Sequence, residues 1–356
     1  MVRTLALCIS ALLLLPLGAT GQQLSPATRQ KLTASLEKGA AFITSQQRPD
    51  GGFDANEGVT AVAVTALLRQ PGRHDQALAA TAKALDMLRG LSKPDGGIYN
   101  KIVPYYVTAV AVSALAAGGR PADKPVIDKG RQYLAERLLD EGEGLKPGDK
   151  FYGSLGYGGA NGALQGDIIS LTFALEAMRD AGAGANDPSF AKAINFLQRT
   201  QNSSESNTES WAKDDGGFIY YPGTSVVANT TESYGSGTYA GMMSYLYANL
   251  KKTDLRVQGT LKWVRNNYTL DENPGIGQKT LYYYYMVFAK ALRAAGEDVI
   301  VDARGRRHNW REELAAKLIS LQKGDGSWVN SDPTEMQNNK VLVTAFTMMA
   351  IEATLQ

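Results

Sequence analysis

Apolar positions along the chain fall into two kinds of segment that alternate. The first kind is mixed. KGAAFITSQQ from Lys38, KALDMLRGLS from Lys83, KGRQYLAERLL from Lys129, KAINFLQRTQ from Lys192, GTLKWVRNNY from Gly259 and EELAAKLISLQ from Glu312 set large apolar residues about one helical turn apart among charges. That spacing predicts helices with one wet face. The second kind is apolar nearly all round: GVTAVAVTALL from Gly58, YYVTAVAVSALAAGG from Tyr105, GDIISLTFALEAMRDAG from Gly166, SGTYAGMMSYLYANL from Ser236, TLYYYYMVFAKALRAAG from Thr280 and VLVTAFTMMAIEATL from Val341. A helix with no polar face is buried on most sides.

Between the two kinds, an Asp-Gly turn closed by a large apolar residue recurs: Asp50-Gly51 before Phe53, Asp95-Gly96 before Ile98, Asp215-Gly216 before Phe218, and Asp325-Gly326 before Trp328. The unit is helix, turn, helix, six times over, at about 45 residues early and up to about 65 later. A solenoid needs polar caps at its ends. The last apolar segment shows no capping character, so the expectation is an all-α ring: six hairpins, about twelve helices, inner and outer. A turn that recurs has an architectural job. Gly supplies positive φ and Asp bonds its own turn, so these aspartates are expected to be structural. Two long polar connections interrupt the rhythm, from Asp140 to Gln165 and from Asn202 to Gly235. Polar loops on a rigid frame are where binding surfaces sit. EDVIVDARGRRHNW from Glu297 reads as a small hairpin or tight loop.

Lys38, Gly39, Phe42, Ile43, Gln47, Gly51 and Phe53 together resemble the QW motif of squalene–hopene cyclases, with Phe for Trp; Gln322, Gly326 and Trp328 match its C-terminal half. Other copies are degenerate, with Ser92 and Ile98 where Gln and Trp are expected. The resemblance implies the α/α toroid of terpenoid cyclases and protein prenyltransferase β subunits. More narrowly, the chain is similar to exported bacterial prenyltransferase/squalene-oxidase-repeat proteins. The chemistry of those relatives does not come with it. There is no D-x-D-D acid motif and no D-D-x-x-D metal motif.

The N-terminus adds an expectation about location. Arg3 precedes LALCISALLLLPLGA, an apolar run too short to span a bilayer comfortably and ending in small residues. Residues 1–21 read as a cleaved signal peptide, residues 22–356 as one domain, and the protein as periplasmic or secreted with no retained membrane span. Cys8, the only cysteine, is lost with that segment. Disulfides, thiolate catalysis and cysteine-ligated zinc are then excluded. His74 and His308 have no partner at metal-ligand spacing, and no metal or cofactor is expected. A net charge of +2 gives no footprint for nucleic acid.

Candidate site residues cluster where turns meet the starts of apolar helices: Glu57, Tyr105, Tyr106, Asp167, Glu232, Tyr234, Lys279, Tyr282, Tyr283, Tyr284, Tyr285, Glu335 and Asn339. Four consecutive tyrosines cover every face of a helical turn, so one or two rings must face the cavity. They either line a ligand site or fill the ring's centre. Asp167 opens an apolar helix, either as an N-cap or as a general acid with a raised pKa. Three functions stay open: a non-catalytic toroid holding a hydrophobic, peptide or glycan ligand, a terpenoid cyclase or transferase with a non-standard acid, and a polysaccharide-degrading enzyme. The export reading predicts that N-terminal sequencing of the secreted chain begins near Gln22. A secreted chain beginning at Met1 contradicts it.

Overall fold

The computed structural model describes residues 24–72, 74–158, 164–228 and 230–356. The expected signal peptide and Cys8 lie outside the described residues. Six helices form the outer layer: α1 (Pro26–Ser45), α3 (His74–Gly90), α5 (Lys124–Glu136), α7 (Pro188–Thr200), α9 (Leu255–Asn266) and α11 (Trp310–Leu321). Six form the inner: α2 (Glu57–Leu68), α4 (Pro104–Gly118), α6 (Ile168–Asp180), α8 (Gly235–Tyr247), α10 (Leu281–Ala294) and α12 (Lys340–Leu355). Each inner helix packs against the next, and α12 packs back on α2, so the ring is closed. The first outer helix, α1, lies against α11 and α12, bringing the two ends of the ring together. The inner helices are the ones with no polar face. Every residue of α2 from Gly58 to Leu68 and of α12 from Val341 to Leu355 is buried. A short antiparallel hairpin, β1 (Ile300–Val301) with β2 (Arg307–His308), joins α10 to α11.

The Asp-Gly turns share one set of bonds. The Asp carboxylate accepts the N–H two residues on, at 3.0 Å for Asp50, 3.1 Å for Asp95, 2.8 Å for Asp215 and 3.0 Å for Asp325. The apolar residue that closes the turn is buried and donates its N–H to a threonine of the following inner helix: Phe53 to Thr60 (3.1 Å), Ile98 to Thr108 (2.9 Å), Phe218 to Thr238 (3.0 Å) and Trp328 to Thr344 (3.0 Å). A glutamine at the end of the outer helix bonds the turn and the next outer helix together. Gln47 reaches Gly51 and Ala80, Gln201 reaches Gly216 and Arg256, and Gln322 reaches Gly326 and Ser35. Those last bonds span the chain's two ends.

Glycine is required at these joints for two reasons. Gly51 and Gly326 have φ of 92° and 88°, which other residues rarely adopt. A Cβ on Gly51 would lie 2.9 Å from the Lys83 carbonyl, and one on Gly326 would lie 2.6 Å from the Lys38 carbonyl. The turn thus rests directly on the backbone of the next outer helix. Gly326→Ala is expected to lose more than about 1 kcal/mol in urea unfolding, through strain and the clash. Gly324→Ala, a neighbour with open space around it, should stay within about 0.5 kcal/mol of the parent. Equal effects would show that the joint does not hold the ring closed.

Candidate functional site

The inner helices all begin at one end of the ring, and Asp167 sits there as the N-cap of α6. One carboxylate oxygen accepts the N–H groups of Ile169 (2.9 Å) and Ser170 (2.8 Å), and the other accepts the Ser170 hydroxyl (2.7 Å). Asp167 is thus an N-cap, the first of the two roles expected for it, and this cap is also buried. Burial pushes its pKa up from 3.8 to about 6; the Ser170 and Ile169 bonds oppose the rise, and the Glu335 charge adds to it.

Around Asp167 stand tyrosines from three segments, the two long connections and α10. Ile168 donates its N–H to the Tyr220 carbonyl at 3.0 Å, and Tyr105 donates to the Tyr157 carbonyl at 3.1 Å. These bonds bring both long connections alongside the carboxyl. The Tyr157 and Tyr220 side chains lie close enough to shift each other's pKa. Tyr157, Tyr220 and Tyr234 are pushed up by burial first and then by the Asp167 charge; Tyr283 is pushed up by burial and then by Tyr234, Tyr157 and Tyr106, with Asp167 adding least. The Tyr283 hydroxyl is buried and has no hydrogen-bond partner. Its ring lies 5.9 Å from Phe173 and 5.7 Å from Phe346. Phe173 is on α6 and Tyr283 on α10, with α8 between them, so this contact crosses the ring axis. Tyr106 packs edge-on against Phe173 at 5.2 Å.

The other candidates are placed as follows. Glu335 is exposed at the rim, with a left-handed backbone (φ 52°), and its charge reaches Asp167, Tyr106 and Tyr157. Asn339 caps α12 and donates to Asp54 at 2.9 Å. Glu57 accepts the Asn100 N–H at 3.1 Å. Glu232 pairs with Lys213 on the surface, and Lys279 is exposed. Tyr105 turns outward to Tyr133 of α5, with ring centroids 5.9 Å apart. Of the four consecutive tyrosines, only Tyr283 meets Asp167's surroundings. The Tyr284 and Tyr285 hydroxyls donate to the carbonyls of Thr269 and Leu270, both at 2.7 Å, in the loop after α9. Tyr282 packs on Tyr285.

Deeper in the ring, beside Phe173, lies a small space of about 20 Å³, walled by Val62, Val110, Met286 and Met349. Its floor is charged. Lys290 of α10 pairs with Glu176 of α6 at 2.6 Å; Arg69, at the end of α2, reaches Glu176 at 2.7 Å and Asp180 at 2.6 Å. Burial alone would raise the Glu176 pKa, but Lys290 and Arg69 outweigh it and hold it low. These charges tie three alternate inner helices together. Sequence reasoning missed Tyr157, Tyr220, Phe173 and this tie. The signal for the tie was present: FALEAM and FAKALR each bury one charge in an otherwise apolar helix. Among the described residues no group of three or more His, Cys, Asp or Glu is placed to hold a metal, and no helix is long and apolar enough to cross a membrane.

The Asp167 pKa carries a stability consequence. Between 3.8 and about 6 the folded chain holds a proton that the unfolded chain has released, so stability falls as pH rises through that window and levels off above it. The loss is on the order of 3 kcal/mol. Urea unfolding at pH 4 to 7 should show this slope, and Asp167→Asn should remove it. A wild-type-minus-variant difference that does not change with pH contradicts the placement.

No family profile matches the chain. The drimenyl diphosphate synthase of Streptomyces showdoensis is 23% identical over 304 residues, 85% of this chain and 49% of that protein. The chain thus spans about half the length of this curated relative. Among solved structures, a form of the type II terpene cyclase MstE from Scytonema in complex with merosterolic acid A superposes with a TM-score of 0.58 at 16% identity, covering 93% of this chain and 99% of that one. Another MstE structure, holding geranylgeranyl dihydroxybenzoate, gives 0.58 at 15%, covering 92% and 99%. A glycosidase gives 0.54 at 12%, covering 93% and 99%. Identities this low show the fold alone: the ring is an α/α toroid, the fold these solved structures share with it.

Proposed function

We propose that the pocket around Asp167 binds a neutral ligand that carries hydroxyl or carbonyl groups beside an apolar face. The observation that carries this reading is the Tyr283 hydroxyl, buried without a partner within electrostatic reach of a carboxyl whose pKa burial raises to about 6. An unsatisfied buried hydroxyl costs about 1–3 kcal/mol. A ligand oxygen that pairs with it recovers that free energy, and the surrounding rings supply apolar contact. The same reading places the protein outside the cytoplasm, on the strength of the apolar N-terminal run.

Two features weigh against a prenyl cyclase. Protonating an alkene calls for an acid stronger than an ordinary carboxyl, and Asp167 is shifted the other way. The Phe173–Tyr283 contact also crosses the ring's centre, and the space beside it, about 20 Å³, has room for a water and none for a prenyl chain. A catalytic second reading rests on a different observation, the two carboxyls Asp167 and Glu335 within electrostatic reach of each other. A protonated Asp167 could give its proton to a glycosidic oxygen while the Glu335 carboxylate takes one from an attacking water. Release of nitrophenol from aryl glycosides, abolished in Asp167→Asn, would support that reading.

Calorimetric titration with geranylgeraniol, maltohexaose, cellohexaose and a tetrapeptide tests the binding reading. At least one should bind, with affinity falling tenfold or more in Asp167→Asn and in Tyr283→Phe. Without ligand, Tyr283→Phe should be more stable than the parent by about 1 kcal/mol, because it removes an unpaired polar group. Tyr284→Phe should do the reverse, losing about 1 kcal/mol of stability and no affinity. Binding untouched by both Asp167→Asn and Tyr283→Phe would overturn the assignment.

A further inference from the structure

The two long connections do more than flank Asp167. Both supply tyrosines near Asp167, Tyr157 from the first and Tyr220 and Tyr234 from the second. Each also supplies aromatic residues farther out. Phe151 comes from the first, Trp211 and Tyr221 from the second, and all three are partly exposed. The Phe151 and Tyr221 rings lie 5.9 Å apart, and Tyr221 lies 5.4 Å from Tyr220. The Trp211 indole N–H is already used, donating to the Arg199 carbonyl at 3.4 Å. Above these rings stands the Lys150 ammonium, 5.4 Å from the Phe151 centroid and 5.9 Å from those of Trp211 and Tyr221. Ring contacts therefore run from Phe151 through Tyr221 to Tyr220, whose backbone carbonyl accepts the Ile168 N–H beside Asp167.

We propose that Phe151, Trp211 and Tyr221 form a sugar-stacking subsite, and that a glycan held there runs past Tyr220 and Tyr157 to Asp167. The inference rests on the Asp167 pocket reading and names its ligand class. Three features favour a glycan. The apolar C–H face of a pyranose matches an open aromatic ring, while its edge carries hydroxyls for a charged donor such as Lys150. Lys150 is exposed and flexible, so it can shift from the rings to a ligand oxygen. Neighbouring ring centres along the track are spaced at about the length of a pyranose unit, which suits a chain of linked rings. The track ends at a protonatable carboxyl and a free tyrosine hydroxyl, groups that recognise sugar oxygens.

The four tryptophans make the test specific. Trp263, Trp310 and Trp328 are buried, at 3% exposure or less, so a ligand in the cleft perturbs Trp211 alone. Fluorescence is followed while cellohexaose, maltohexaose or chitohexaose is added to the wild-type protein. One of them should shift or quench the emission. Its affinity by calorimetry should fall at least tenfold in Trp211→Ala and in Tyr221→Ala, with circular dichroism and melting unchanged. No response to any hexasaccharide, or unchanged affinity in both variants, overturns the proposal. So does a response only to a peptide. Asp167→Asn separates this inference from the pocket reading. Unaltered saccharide affinity there leaves the stacking subsite standing and removes the pocket. Geranylgeraniol binding that depends on Tyr283, with Trp211 silent, removes the subsite and keeps the pocket.

Discussion

Everything in this molecule depends on the contact between a turn glycine and the backbone of the next outer helix. At Gly51 and Gly326 the approach leaves no room for a side chain, so each turn rests on its neighbour at a fixed angle. The Asp, the Gln and the closing aromatic then secure the turn to three partners: itself, the next outer helix and its own inner helix. Because the joint is repeated, the angle accumulates. The final joint, Gly326 on Lys38 with Gln322 on Ser35, links the last turn to the first helix. Closure removes the exposed ends that a solenoid must cap.

A closed ring has an axis, and what fills that axis decides where a ligand can go. Here side chains from non-adjacent helices meet across it. Phe173 and Tyr283 do so near the mouth, and Glu176, Lys290 and Arg69 do so at the floor. The buried charges are fully paired, so their desolvation is offset and removing one partner would strand the others. With the centre occupied, the polar convergence lies at the mouth. Both long connections fold over that end, because every inner helix starts there. The solved terpene cyclases holding prenyl ligands and the glycosidase share this fold at low identity. The difference in chemistry among them lies in what each builds on the frame.

The frame was legible in the sequence for a physical reason. Turn geometry is local, and Asp-Gly before a buried aromatic states it within a few residues. Helix burial is also local, since GVTAVAVTALL has no polar face to leave exposed. Even the threonine that anchors each turn could have been read, as Thr60, Thr108, Thr238 and Thr344 occupy matching places. The site was less legible. Asp167 stood out because a lone carboxyl opened an apolar helix. Tyr283 could not be told from Tyr284, because which of four consecutive rings faces the axis depends on the rotation of α10 within the ring. Tyr157 and Tyr220 lie in loops, where no periodicity reports on direction, and only hydrogen bonds to Tyr105 and Ile168 bring them to Asp167.

The central claim is that Asp167 is a buried, protonatable carboxyl at the mouth of a filled ring. Carbon-13 NMR of the aspartate carboxyls, with Asp167→Asn to assign the signal, measures this directly. The account predicts that the Asp167 resonance titrates near pH 6. A resonance that titrates at the ordinary 3.8 would mean that the carboxyl is solvated and that the pocket, as described, does not exist.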